Sequence, residues 1–224
     1  MLDAAMTLLD THGAAALTTR NIAEALGCTQ ASLYRHVRNR EELVTLLIDR
    51  AISVASAAPP DGADWAEKAA WSSRRFRAHL LRHPGVASLL RGTERLGPNS
   101  PAGMQYSLDL FITAGLSPRL ASAAASSLAT FVLGSVHLNL GLDTSDPDET
   151  SHRRLLFRSR DAVAFPLLVQ HADTLAEVSS DEEFEVGLNA LLTGFRVLIQ
   201  TMDTTRDQGL PGVKRSGPDG GPIP

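Results

Sequence analysis

Residues 17–39 read LTTRNIAEALGCTQASLYRHVRN, and this stretch decides the fold. Two very short helical segments stand back to back around Gly27. The second ends in a crowd of polar and basic side chains, Tyr34, Arg35, His36 and Arg38, with Arg40 just beyond. Helices of two or three turns are marginal alone, so longer helices must hold the pair on either side. Thr18 or Thr19 caps the first segment, and Thr29 or Gln30 opens the second, which is expected to end near Val37. Helix, glycine-led turn and helix make a helix-turn-helix, whose second helix enters the major groove while the first crosses the backbone. Arg20 and Gln30 can contact guanine and adenine edges in bidentate fashion. Thr19, Ser32, Tyr34 and His36 offer short donors to phosphates or bases. Arg40, in the first turn of the next helix, is placed to meet a phosphate together with the free backbone N–H groups there. A surface αα-hairpin with solvated arginines is the alternative.

Outward from this stretch the chain has helical period nearly everywhere and no convincing strand alternation, so the fold class is all-α. A first helix runs from the N-terminus to His12 and stops at Gly13. Asn39 caps a long fourth helix with Leu43, Leu47 and Val54 on one face, closed by AAPPDGAD at 57–64. That break predicts a helix-turn-helix domain over 1–57 and a larger domain over 58–203. The second domain should hold a helix over 64–82, a short one to Arg91, a loop at 97–103 and a helix over 104–114. A long helix from Pro118 to Gly141, an acidic loop at 142–149, one helix over 152–178 and a last helix from Ser180 complete it. In the last helix Phe184, Leu188, Leu191, Phe195, Leu198 and Met202 form a seam, and Gly187 and Gly194 leave a second face open to close approach. Residues 204–224, rich in Pro, Gly and Asp, are expected to be disordered.

The 224 residues are 43% hydrophobic and 21% charged, with a formal net charge of −4, which argues against indiscriminate coating of nucleic acid or membrane. DNA binding must be local. A single cysteine, Cys28, leaves no internal disulfide, and no leader opens the chain, which suits a reducing cytoplasm. No apolar run approaches the roughly 20 residues needed to cross a bilayer, the nearest being 120–142, so no membrane partner is expected.

LTTRNIAEALG followed by LYRHVRNREEL resembles the DNA-binding domain of the TetR family of bacterial repressors, over Leu2 to Val54. The resemblance implies that Thr19, Tyr34 and Arg40 meet phosphates and that Arg20, Gln30, Ser32 and His36 lie near base edges. It implies a core of Leu26, Leu33, Val37 and Leu43. Residues 65–93 and 114–134 are similar to the regulatory domain of the tetracycline repressors within that family. By that resemblance Ser72, Phe76, Leu90, Thr93, Gly103, Ser107 and Thr130 line a ligand cavity. Trp71, Met104, Phe111 and Phe131 add apolar surface, and His137 is either a pocket donor or a satisfied interface histidine. The family's magnesium–tetracycline ligands correspond to Leu90, Leu138 and Thr130. A hard magnesium ion gains nothing from leucine, so the effector is read as a hydrophobic or amphipathic molecule, with no metal and no cofactor.

His79 and His83 have i,i+4 metal spacing without a third ligand and are read as structural. Cys28 is read as a small packing residue in the turn, with a redox-sensitive thiol as the alternative. The family carries a basic arm ahead of its first helix. Met1 falls where that helix is already under way, so an upstream start is expected. These readings converge on a ligand-responsive repressor, not an enzyme. It would dimerise through a four-helix bundle and bind a palindromic DNA operator and a small-molecule effector. The competing classes are an all-α enzyme or a ligand-binding module using the same cavity without DNA. No nucleophile elbow, HExxH or phosphate loop supports the enzyme.

Overall fold

The computed structural model describes residues 1–55, 58–90, 97–140 and 146–208, and within them every regular element is helical. Of the tail expected to be disordered over 204–224, residues 209–224 lie outside the described residues, as do Thr93 and residues 142–145 of the acidic 142–149 loop.

The N-terminal unit is built from α1 (Leu2–His12), a 3-10 turn (Ala14–Ala16), α2 (Thr19–Ala25), α3 (Gln30–Leu33) and α4 (Arg40–Ala55). Met1 precedes α1 without a side-chain cap. Thr18 caps α2 through Asn21 N–H at 3.1 Å, and Thr29 caps α3 through Ser32 N–H at 3.2 Å. Asn39 does the same for α4, accepting from Glu42 N–H at 2.8 Å. Gly27 turns between α2 and α3 with φ 63, a left-handed value that a side chain would resist. α3 is shorter than expected. After Leu33 the backbone tightens, Arg35 and His36 donating to the carbonyls of Ser32 and Leu33 three residues back.

Leu33, Val37 and Leu43 are buried as a core, but Leu26 is 38% exposed, a correction to the core expected from resemblance. It sits at the end of α2, where the chain has already turned away from the apolar face. The core continues past the expected boundary at residue 57: Leu80, Val86, Ala87 and Val136 pack with Leu9, Ile22, Leu43 and Leu47. Burying each such leucine stabilises by about 1.5–3 kcal/mol, so the two units share apolar surface.

α5 (Trp65–Arg82) starts at an Asp64–Glu67 capping box. α6 (Pro84–Leu89) follows after His83. α7 (Ser100–Thr113) begins inside the expected 97–103 loop, because Pro101 at a first-turn position is compatible with helix. α8 (Pro118–Asn139) packs against α5, α6 and α7. Contrary to the sequence expectation, α8 is long and apolar enough to cross a membrane by length and composition, with a mean hydropathy of 1.3.

The single helix expected over 152–178 is three: α9 (Pro147–Arg158), α10 (Pro166–Gln170) and α11 (Ala172–Glu177). Pro166 cannot accept a position inside a helix and instead starts a new one. α9 also takes in residues 147–149 of the expected acidic loop, with Asp146 as its cap.

α12 (Ser180–Gln208) runs past the expected end at 203. Its buried stripe is Phe184, Leu188, Leu192 and Ile199, with Phe195 and Met202 partly covered, whereas Leu198 is 46% exposed. Leu192 and Ile199 thus take the places expected for Leu191 and Leu198, one residue further along the helix. Gly187 meets the Phe131 ring closely, while Gly194 faces open space. Arg74 and Arg77 tie α5 to α12, Arg74 gripping Glu185 with two bonds of 2.7 Å and Arg77 reaching Asp181 at 2.6 Å.

Candidate DNA-reading surface and ligand cavity

α2 and α3 present the expected polar side chains outward. Arg20, Gln30, Tyr34, Arg35 and His36 are exposed, and Thr19 and Ser32 are half-buried. The Thr19 hydroxyl and the Tyr34 phenol meet at 3.5 Å, which places the start of α2 beside the end of α3. Arg35 donates to Ser32 Oγ at 3.0 Å. This surface can offer one guanidinium and one carboxamide to base edges with hydroxyls around them.

Arg40 is used differently from the reading above. Its guanidinium donates to the Leu17 carbonyl at 3.1 Å and the Ala14 carbonyl at 2.9 Å, so it clamps α4 to the turn before α2. Arg38 lies against Glu42 at 3.2 Å. Cys28 is solvent-exposed, which corrects its reading as a packing residue: it follows Gly27 in a turn that projects away from the core.

A cavity of about 330 Å³ lies between α5, α7 and α8, within the usual range for small-molecule sites. Of the expected lining residues it gathers Ser72, Phe76, Leu90, Gly103, Met104, Ser107 and Phe111. Trp71 does not join them. The cavity face of α5 is Ala69, Ser72, Ser73 and Phe76, and the next residue round a helix points about 100° away. Trp71 instead borders a wider, charged groove with Arg74 and Arg196 and lies under the Arg75 guanidinium.

Thr130 is displaced by the same geometry. The cavity face of α8 is Ser122, Ala125, Ser126, Ala129, Val132 and Leu133, and Thr130 turns to an outer groove with Phe131 and Leu191. Phe131 itself stacks on Phe184 at 5.4 Å. His137 lies beyond the cavity, its Nε2 at 2.8 Å from the Ala87 carbonyl, and so joins α8 to α6. Of the three positions corresponding to the magnesium site, only Leu90 is in the cavity wall, and Leu138 is 78% exposed. Among the described residues no three His, Cys, Asp or Glu side chains gather at metal-binding distance.

The sequence reading missed Tyr106, Leu108, Leu110 and the serines of α8, which line the same cavity. Gly103, Tyr106, Ser107, Leu110 and Phe111 repeat at steps of three and four along α7, a signal the sequence carried. Tyr106 differs from its neighbours. Its hydroxyl oxygen is buried and has no hydrogen-bond partner among the described residues, and burial raises the phenol above its ordinary pKa.

Two polar joints connect cavity and reading surface. Asp49 of α4 is 2% exposed and accepts from Asn99 N–H, Asn99 Nδ2, Ser100 N–H at 2.7 Å and Ser100 Oγ at 2.9 Å, so α4 caps the start of the cavity helix α7. Gly97 allows this approach, since a Cβ there would collide with the Asp49 side chain. At the other joint, Asp10 of α1 meets His83 Nδ1 at 2.8 Å and accepts from Gly85 N–H of α6 at 3.0 Å. α6 ends at Leu90 in the cavity wall. His79, 7% exposed, sits beside this joint with its pKa pushed down to about 4, first by burial and then by His83, Arg82 and Arg50, against a smaller pull from Asp10.

Comparison with known proteins agrees with both halves. The family model described as bacterial regulatory proteins, tetR family, matches residues 1–47, and the one described as tetracyclin repressor-like, C-terminal domain, matches residues 58–199. Tetracycline repressor protein class E of Escherichia coli is 30% identical over 87% of this chain and 88% of its own. The HTH-type transcriptional repressor DrrR1 of Streptomyces coeruleorubidus is 28% identical over 89% of this chain and 77% of its own. Among solved structures, ActR of Streptomyces coelicolor in complex with actinorhodin superposes with a TM-score of 0.75 at 30% identity, covering 88% of this chain and 95% of that one. The same protein in complex with (S)-DNPA gives 0.72 at 31% identity, over 87% and 94%.

Proposed function

Because the chain belongs to the TetR family of bacterial regulatory proteins, we propose that it acts in the cytoplasm as a homodimeric repressor on a palindromic operator. The effector is a small hydrophobic or amphipathic molecule bound in the α5–α7–α8 cavity. The relatives are named as repressors, and ActR was solved with small molecules bound, which supports a ligand-responsive regulator here.

The observation that carries the reading is the Asp49 joint, because it couples the cavity helix α7 directly to α4, the helix that leads to the reading surface. A ligand that moves α7, or pushes Leu90 and with it α6, displaces α4 or α1 and changes the separation of two recognition helices on successive major grooves. The ligand needs only different affinities for the two states, a few kcal/mol apart. Apolar outer faces on α8 and α12, including Leu138 at 78% and Val186 at 66% exposure, supply a surface for a second copy, to form a two-fold bundle.

The test is binding to the DNA upstream of its own gene, followed by fluorescence anisotropy at several salt concentrations. Affinity should fall steeply with salt, and specific DNA should bind at one dimer per site. Equal, weak binding to random DNA would reject the operator reading in favour of a ligand-binding module.

A further inference from the structure

We infer that Tyr106 orients the effector, donating its phenolic O–H to an acceptor oxygen, such as a ketone, on an otherwise apolar molecule. This rests on the cavity being the effector site. Three buried side-chain polar atoms lack partners among the described residues, on Arg77, His79 and Tyr106, and only Tyr106 lines the cavity. Of the other hydroxyls around it, that of Ser72 is on a half-buried residue but is not among the buried atoms without a partner, and the rest are engaged or exposed. Ser73 Oγ donates to the Ala69 carbonyl at 2.8 Å and Ser107 Oγ to the Gly103 carbonyl at 3.0 Å, while Ser122 and Ser126 are exposed.

A donor held out of water without an acceptor is unfavourable in the empty protein, and a ligand oxygen relieves that cost on binding. Burial raises the phenol pKa, so the hydroxyl keeps its proton and remains a donor. Most of the remaining wall is apolar, Phe76, Leu108, Leu110 and Phe111 among it, with serines the only other polar side chains. The effector class is therefore a neutral apolar body carrying at least one carbonyl-type oxygen.

The experiment titrates wild type and Tyr106→Phe calorimetrically with 9-fluorenone and with fluorene, which share an outline and differ by a ketone in place of a methylene. Fluorenone should bind Tyr106→Phe about tenfold more weakly than wild type, and fluorene should bind both within about twofold. The empty Tyr106→Phe protein should melt at a higher temperature, because an unpaired buried group has been removed. Failure of fluorenone to bind wild type, equal fluorenone affinity for both proteins, equal losses for both probes, or a lower melting temperature would each overturn the assignment. Ala125→Trp, which fills the cavity, separates the two readings. If it excludes both probes while Tyr106→Phe changes nothing, the cavity takes ligands and Tyr106 is not their anchor. If it binds both probes like wild type, the cavity reading itself falls.

Discussion

The reading surface and the cavity are built in opposite ways. Residues 17–39 place their working side chains outward from one short contiguous stretch, on two helices whose caps are threonines within the same stretch. The cavity assembles its wall from helices that begin at Trp65, Ser100 and Pro118, with each contributing one face. In the first case local sequence states both the element and its outward surface. In the second the function of a residue depends on a rotation of about 100° between neighbours and on helices far apart in the chain.

The comparison is broken most forcefully at Phe111, which is 1% exposed, lines the cavity and meets Phe195 edge-on at 5.3 Å. Phe111→Ala should destabilise the protein by about 3–5 kcal/mol, read as a shift of the urea midpoint. An alanine at an exposed reading position such as Arg20 should leave the midpoint within about 0.5 kcal/mol. Similar losses at both would mean that the reading surface is packed as tightly as the cavity wall.

Next in size is the joint between the two regions. His79 has a folded pKa of about 4 against an unfolded value near 6.5, so the unfolded chain takes up the proton first as pH falls. Its contribution is present above pH 6.5 and is lost between 6.5 and 4, up to about 3 kcal/mol. Denaturation midpoints across that window should fall with acid, and His79→Gln should flatten the fall. An unchanged slope in the variant would place the acid sensitivity elsewhere.

These two sites also mark what the sequence could say. The helix-turn-helix, its caps and the outward set from Thr19 to His36 were legible because they are local. Ser72, Phe76, Leu90, Gly103 and Ser107 of the cavity wall were legible through resemblance, and Met104 and Phe111 through their apolar character. Trp71, Thr130 and Phe131 lie outside that wall because position along a chain does not state which way a helix is turned, and His137 takes its interface alternative. The break at Pro166 was in plain view and should have divided the helix expected over 152–178. Asp49 could not have been read at all: its partners, Asn99 and Ser100, are some fifty residues away, and a lone aspartate on an amphipathic helix reads as solvated.

A smaller effect sharpens the reading surface itself. Arg20→Ala and Gln30→Ala should each cost about 1–3 kcal/mol on the operator, concentrated at particular base pairs, with less effect on random DNA. Competition against operators with single base-pair changes reads this directly. Equal losses on specific and random sequence would make both side chains phosphate contacts.

The smallest expected effect is at Arg40, where the two roles overlap. Its Nε and one terminal nitrogen are committed to the Leu17 and Ala14 carbonyls, yet the side chain is exposed, and a guanidinium has five N–H donors. Arg40→Lys keeps the charge but loses the fork, so it should cost about 1 kcal/mol of stability while leaving the salt dependence of DNA binding intact. Arg40→Gln removes the charge and should lower the slope of log affinity against log salt by about 0.9 if the residue also meets a phosphate. A wild-type slope in Arg40→Gln would show that the residue serves only as an internal clamp. The boundary between structure and recognition would then run through the first turn of α4.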